Sequence, residues 1–569
     1  MNEMRWNLHE AVDKEQVDAL SQQLNNLDKT LTEVLIQRGV DTFDAAKDYF
    51  RPSLDDIHDP FLMKDMEKAV KRIEEAISNQ ENILVYGDYD VDGTTAVSLV
   101  YSFLSKYYSN ISYYIPDRYK EGYGVSFQGI DYAADNEFSL IIALDCGIKA
   151  VDKVDYATKK GVDFIICDHH RPGDSLPKAV AVLDPKRVDC EYPYKELSGC
   201  GVGFKLMQAF AINREIDFKE LHPLLDLLAV SIAADIVHMT GENRILSYYG
   251  LKWINAHPRP GISAMIKSAQ LRKNELTITD VVFTIAPRIN AAGRIESGLR
   301  AVELLITTSE EEAEQCCTGI NNNNTERKEL DKGITEEALE YISSDPEMLK
   351  RRSTVLFNPN WHKGVIGIVA SRVIESYYKP TIVLTESNGK ATGSARSVVG
   401  FDVYNAIDAC SDHLEQFGGH MYAAGLTMKL EKLNDFINAF EKYVSSTITE
   451  DQLTPVIDID ALLELDQIND KFYSILKQFA PFGPMNMRPV FQSDNVELAA
   501  PYRIVGENHL KLSLRSIGGD VNIDAIGFKM AHFADSILDQ AFSITYVIDE
   551  NEWRGKKSLQ LILKDIKLT

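Results

Sequence analysis

Short apolar runs between residues 83 and 183 alternate with spacers long enough for a helix, and several of the runs end in aspartate. Ile83-Leu84-Val85-Tyr86 precedes Asp88-Tyr89-Asp90-Val91-Asp92-Gly93. Leu140–Leu144 precedes Asp145, and Phe164–Cys167 precedes Asp168-His169-His170. Ile111–Ile115 and Val180–Leu183, the latter closed by Asp184-Pro185, complete the series. Continuous apolar strands separated by helical spacers predict a parallel sheet covered by helices on both faces. In such sheets ligands bind outside the carboxyl ends of the strands. The aspartates stand at those ends, so the fold pattern and the chemistry point to one cleft.

Crowded carboxylates repel one another, and a bound cation relieves the repulsion. A pair of divalent ions can clamp a phosphoryl group and activate the water that attacks it. Asp88, Asp90 and Asp92 fall at i, i+2 and i+4, so in an extended segment they share a face. A calcium loop of the EF-hand type is excluded, because its twelfth position would be Leu99 rather than glutamate. Asp168-His169-His170 adds imidazole to carboxylate, a donor set suited to Mn²⁺ or Mg²⁺. Asp235 is expected near the end of the apolar stretch Leu221–Val237. A carboxylate there is costly unless it caps structure or binds metal.

The chain of 569 residues is too long for one core. The pattern divides it into a helical arm (1–60), a parallel α/β lobe (61–299), a helical connector (300–348), a second α/β lobe (349–450) and a β-rich region (451–569). The run Asn321–Asn324 is read as part of one long connecting helix. The seven cysteines, at 146, 167, 190, 200, 316, 317 and 410, form no CxxC pair, which argues against a zinc ribbon or disulfide framework. Cys146 and Cys167 adjoin the acidic clusters and are read as small buried side chains. No apolar run is long enough to span a membrane and the N-terminus has no apolar leader core, so a cytoplasmic location is expected. A net charge of −25 predicts weak non-specific binding to intact duplex. Local field, not the sum, governs a phosphate site.

These motifs, in this order, resemble the DHH phosphoesterase superfamily. Arg288-Ile289-Asn290-Ala291-Ala292-Gly293-Arg294, Trp361-His362-Lys363-Gly364-Val365-Ile366-Gly367, Gly418-Gly419-His420 and Pro481-Phe482-Gly483-Pro484-Met485-Asn486-Met487-Arg488-Pro489 narrow the likeness to the RecJ single-stranded-DNA exonucleases of bacteria. The resemblance runs from about residue 50 to the end. It implies a DHH domain, a smaller DHHA1 domain and a C-terminal OB-fold β-barrel, and stepwise 5′→3′ release of 5′-mononucleotides from single-stranded DNA in recombination and repair. Two positions depart from the pattern: Tyr86, where many relatives have histidine, and Met485, where glycine is frequent.

By the same resemblance, two Mn²⁺ or Mg²⁺ ions are held by Asp90, Asp92, Asp145, His169 and Asp235, while Asp88, Asp168 and His170 orient ligands or polarise the phosphate. Ser394, Arg396 and Ser397, with Gly418, Gly419 and His420, are expected to hold the nucleotide's 5′ end; a Gly-Ser turn is the plain alternative. Arg288, Asn290, Arg294 and His362 are further candidate DNA contacts, and a salt bridge is the rival for both arginines. Lys511, Arg515, Arg554, Lys556 and Lys557, with Phe491, Tyr502 and Trp553, would suit single-strand stacking on the barrel. Single-stranded DNA is the expected partner, a single-strand-binding protein and a helicase are candidate partners, and a monomer is the default. Another phosphodiesterase of the superfamily and a non-catalytic strand-binding scaffold are the alternative functions.

Overall fold

The computed structural model describes residues 4–271, 275–538, 540–553 and 555–568. The chain forms two compact units. One comprises Met1–His9 and Thr325–Asp460, the other Glu10–Asn324 and Ala461–Thr569.

Within the larger unit, five parallel strands lie in the order Ile111–Tyr114, Asn82–Gly87, Phe138–Leu144, Asp163–Cys167, Ala181–Leu183. Side chains alternate between the faces of a strand, and both faces here are covered. Ile83, Val85, Leu140, Ile142 and Ile165 pack among residues of the helices Met66–Ser78, Val91–Leu104, Gly199–Asn213 and Leu225–Ala234. Leu84, Tyr86, Ile141, Ala143 and Ile166 pack on the other side with residues of the helices Phe127–Asp135 and Val151–Lys159. Burial on both faces is why these runs read as continuously apolar. Tyr86 points to the second face, stacks on Tyr114 and donates from its hydroxyl to the Gly124 carbonyl at 3.0 Å. It takes no part in the metal cluster.

The same unit holds a barrel. Its strands follow the order Ala461–Leu462, Phe491–Val505, His509–Ser516, Ile523–Gly527, Lys556–Leu568, Phe542–Trp553, and pairing of Phe491–Val505 with Phe542–Trp553 closes it. Leu510, Leu512, Leu514, Phe542, Ile544, Tyr546 and Leu561 fill the interior. Leu31, Val34, Leu35 and Ala46 from the helices Lys29–Gln37 and Phe43–Phe50 belong to the same core.

In the smaller unit the sheet order is Gln416–His420, Ala423–Lys429, Lys390–Arg396, Thr381–Ser387, Thr354–Phe357, antiparallel except for its last pair. The helix Ile366–Ser376 packs on one face and Leu433–Thr447 on the other. Strand Arg5–Leu8 pairs in parallel with Val456–Ile459. One helix, Glu310–Ser344, runs unbroken through Asn321–Asn324. Among the described residues no helix is long and apolar enough to cross a membrane.

Candidate metal centre

Asp88, Asp90 and Asp92 do not converge by strand alternation. Asp88 follows the strand Asn82–Gly87, Asp90 is the N-cap of the helix Val91–Leu104, and Asp92 lies in that helix's first turn. The Asp90 carboxylate accepts the Gly93 amide at 2.9 Å, an N-cap bond that outcompetes extension. The turn is tight: a Cβ on Gly93 would lie 2.5 Å from the Asp88 carbonyl oxygen. Asp92 is buried and accepts the amides of Gly199 at 2.6 Å and Cys200 at 2.9 Å, plus the Ser231 hydroxyl at 2.6 Å. Those amides open the helix Gly199–Asn213, whose N-terminus favours an anion.

Asp145 ends its strand in the left-handed conformation, φ 57°, and donates its amide to the Cys167 carbonyl at 2.9 Å. Asp168 is buried and fully engaged. It accepts the amides of Ile148 at 2.9 Å, His169 at 2.8 Å and His170 at 3.1 Å, and lies 2.7 Å from Nδ1 of His170. Asp235 is the C-cap of the helix Leu225–Ala234. The carbonyl end of a helix disfavours a carboxylate, so capping does not account for it.

His169 is the shared member. Its Nε2 lies 3.2 Å from Asp145 Oδ1, 3.5 Å from Asp235 Oδ2 and 3.8 Å from Asp92 Oδ2. Two sets of ligand atoms thereby fall within 4.8 Å of one another: Asp145, His169 and His170, and Asp92, His169 and Asp235. Both ring nitrogens of His169, Asp145 Oδ1 and Asp88 Oδ2 are buried without a hydrogen-bond partner. Buried polar atoms are ordinarily satisfied. Orphaned His169 Nε2 and Asp145 Oδ1, 3.2 Å apart, are what a divalent cation would satisfy, so these residues fit the metal.

The electrostatics agree. Burial, with repulsion from Asp92 and Asp90, pushes Asp145 and Asp235 well above the ordinary carboxylate range. Burial and Asp90 do the same to Asp88, and burial raises Asp90. Burial lowers His169, which keeps its ring neutral. Burial opposes a charged His170, but the bond to Asp168 outweighs it and raises His170 to about 9.

Asp184 was missed as a site residue. It follows the strand Ala181–Leu183 as the other aspartates follow theirs, is buried with Oδ2 unpartnered, and burial beside Asp168 raises it to about 7. The signal was its place after an apolar run. Arg118, over the Tyr89 ring at 5.0 Å, and Tyr123, with its ring 6.3 Å from that of His170, also border the cluster. They come from a loop with no periodic signal.

Arg288, Asn290 and Arg294 lie on the helix Ala286–Ile295, which approaches the Asp-rich turn so closely that a Cβ on Gly293 would sit 2.5 Å from the Tyr89 carbonyl oxygen. Asn290 and Arg294 are one turn apart on this helix. Arg288 turns elsewhere, donating to Asn321 Oδ1 at 2.8 Å and the Thr284 carbonyl at 2.7 Å.

In the smaller unit the glycine-serine segments are strands rather than turns. Ser394 pairs across Gly425 with Gly418, and Arg396 across Ala423 with His420. Residues directly opposite share a face, so Ser394, Arg396, Gly418 and His420 form two adjacent rows on one face. Gly419 points away. Arg396 donates to Ser394 Oγ at 2.9 Å, and a Cβ on Gly367 would meet the Arg396 guanidinium at 2.9 Å. Ser397 leaves this group, because its hydroxyl donates to the Phe401 carbonyl at 2.7 Å. His362 Nδ1 accepts the Gly364 amide at 3.1 Å, ahead of the helix Ile366–Ser376.

On the barrel, Phe491 is in the core and cannot stack on a base. Arg515 pairs with Glu497, and Lys557 with Glu550. Arg554 and the side chain of Trp553 lie outside the described residues.

The sequence matches the DHH family N-terminal domain over residues 82–232, the DHHA1 domain over 352–446 and the RecJ OB domain over 459–565. It is 37% identical to the single-stranded-DNA-specific exonuclease RecJ of Bacillus subtilis, over 99% of this chain and 71% of the relative. It is 34% identical to the Escherichia coli exonuclease of the same name, over 88% and 90%. The crystal structure of RecJ in complex with Mn²⁺ from Thermus thermophilus superposes with a TM-score of 0.86 at 25% identity, covering 99% of this chain and 80% of that one. With the aspartate-histidine cluster at the strand ends, the three domains and these identities, the chain belongs to the RecJ family of the DHH superfamily.

Proposed function

We propose that this protein is a metal-dependent, single-strand-specific 5′→3′ DNA exonuclease that releases 5′-mononucleotides and acts in recombination and repair in the cytoplasm. The observation that carries the reading is the gathering of the Asp92, Asp145 and Asp235 carboxylates within 3.8 Å of His169 Nε2, with Nε2 and Asp145 Oδ1 buried and unpartnered. Asp90, Asp92, Asp145, His169 and Asp235 would hold two Mn²⁺ or Mg²⁺ ions. When bound, the ions supply water activation and neutralise charge on the reacting phosphate.

The protein's own groups do the rest. Asp168 fixes His170 by its bond to Nδ1 and keeps a proton on that ring, which presents positive charge at the cleft. Asp88, unpartnered at Oδ2, is a second proton-holding group beside Asp90. The rows Ser394–Gly418 and Arg396–His420 offer a hydroxyl, a guanidinium and an imidazole around a strand that lacks bulk, a cradle for a terminal phosphate. The barrel supports a long strand over a dinucleotide, since a small-molecule diesterase has no need of it.

Digestion of single strands labelled at the 5′ or the 3′ end, and of blunt duplex, tests this with Mn²⁺, Mg²⁺ or chelator. Immediate release of 5′ label as mononucleotide, delayed release of 3′ label and little attack on duplex are expected. Release of 3′ label first, or full activity in chelator, would refute it.

A further inference from the structure

Two exposed apolar residues occupy backbone conformations that suit glycine. Ile236 follows the cap Asp235 directly, has φ 60° and leaves 74% of its surface exposed. Met485 has φ 62° and is 65% exposed. A β-branched residue in the left-handed region is an outlier, and a helix's following position is ordinarily glycine for this reason. Neither side chain is buried, so packing does not explain why these positions carry bulk.

The two segments are fixed to each other. The Met239 amide donates to the Pro484 carbonyl at 2.8 Å, and Gly483 packs so closely that a Cβ on it would lie 3.0 Å from the Met239 Cβ. The loop around Met485 is pinned through Asn486. Asn486, 2% exposed, donates to the carbonyls of Phe479 at 3.0 Å and Pro481 at 2.8 Å and accepts the Tyr49 hydroxyl at 2.8 Å. Its neighbours Met485 and Met487, the latter 64% exposed, therefore stand out from a held backbone. Strained, exposed and rigidly presented groups beside reacting residues mark a functional contact.

Resting on the single-strand exonuclease function proposed above, we infer that Ile236 and Met485 form an apolar rim that contacts the nucleobase attached to the reacting phosphodiester. Continuity fixes the occupant. Ile236 is the next residue after Asp235, whose carboxylate belongs to the cluster, so what passes over it is the part of the strand next to the phosphate. An unstacked base offers an apolar, polarisable face, and a branched alkyl group and a thioether match it without reading sequence.

The test compares a 5′-phosphorylated oligothymidylate with a strand of equal length made of abasic residues, in Mn²⁺. Wild type is expected to show a KM about tenfold lower for the thymidylate, the ratio that a contact of this size supports. Ile236→Gly and Met485→Gly should each cut that ratio to about threefold, with a thermal midpoint at or above wild type, because glycine relaxes the backbone. Ile236→Val should keep the ratio. A wild type that does not distinguish the strands, or a glycine variant that keeps the wild-type ratio, overturns the assignment. A wild type that shortens neither strand contradicts the exonuclease function itself, and this contact with it.

Discussion

Nε2 of His169 lies 3.2 Å from Oδ1 of Asp145, and no hydrogen bond joins them. Two buried polar atoms at this separation, both unsatisfied, are tolerated when a cation takes the place of the missing proton. Replacing His169 by Ala removes the donor shared by both ligand sets. Turnover should fall at least about a thousandfold, or roughly 4 kcal/mol of lost transition-state stabilisation. Single-turnover digestion of a 5′-labelled strand measures it.

Asp235 sits at the wrong end of a helix for a carboxylate and repels Asp92 and Asp90. Asp235→Asn should therefore stabilise the metal-free protein, by about 1 kcal/mol, while lowering activity and Mn²⁺ affinity. Thermal unfolding in chelator reads the first effect and titration calorimetry the second. A destabilised metal-free variant would assign Asp235 a structural role instead.

The raised carboxylates set the pH dependence. In the metal-free fold Asp88, Asp90, Asp145 and Asp235 hold protons above the pH at which they lose them when unfolded. The folded state then binds more protons than the unfolded state, so this part of stability is full at acid pH and is lost as pH rises. Cations bind the deprotonated groups. The rise in thermal midpoint on adding Mn²⁺ should accordingly be larger at pH 8 than at pH 6.

How much of this was legible in the sequence depended on range. The parallel sheet was readable because burial on both faces leaves uninterrupted apolar runs such as Leu140–Leu144. Asp145, Asp168 and His169 were readable because they end such runs. The turn at Asp90 was not: a period of two suits a strand, and only the N-cap bond to Gly93 decides for a helix. Phe491 looked available for stacking because barrel closure, which buries it, comes from pairing with Phe542–Trp553 far along the chain. Strand Arg5–Leu8 finds its partner at Val456–Ile459, for which no local signal exists. Met485 kept the left-handed turn that glycine usually serves.

Asp168 holds the proton on His170 through the 2.7 Å contact to Nδ1. Asp168→Asn removes the charge and keeps the shape. His170, raised to about 9 in the metal-free protein, should drop toward its ordinary value near 6.5. NMR titration of the ring in chelator follows this. In the loaded enzyme bound cations lower the same pKa, so the loss of activity at high pH should begin at or below about 9 in wild type and move to lower pH in the variant.

Arg396 donates to Ser394 Oγ from a half-buried position, and His420 lies on the same face one strand beyond its partner Ala423. Arg396→Lys keeps the charge and loses the planar fork. Affinity for a 5′-phosphorylated strand should fall about tenfold, with a smaller change for the same strand ending in a 5′-hydroxyl. Equal losses on both ends would remove this row from the phosphate cradle.

Anomalous diffraction from crystals soaked in Mn²⁺ tests most directly that His169 joins two cation sites. Two peaks are expected, one bounded by Asp145 and His169 and the other by Asp92, His169 and Asp235, and both should weaken in His169→Ala crystals. Absence of Mn²⁺ from this cluster, or undiminished peaks in the variant, would contradict a shared His169 ligand.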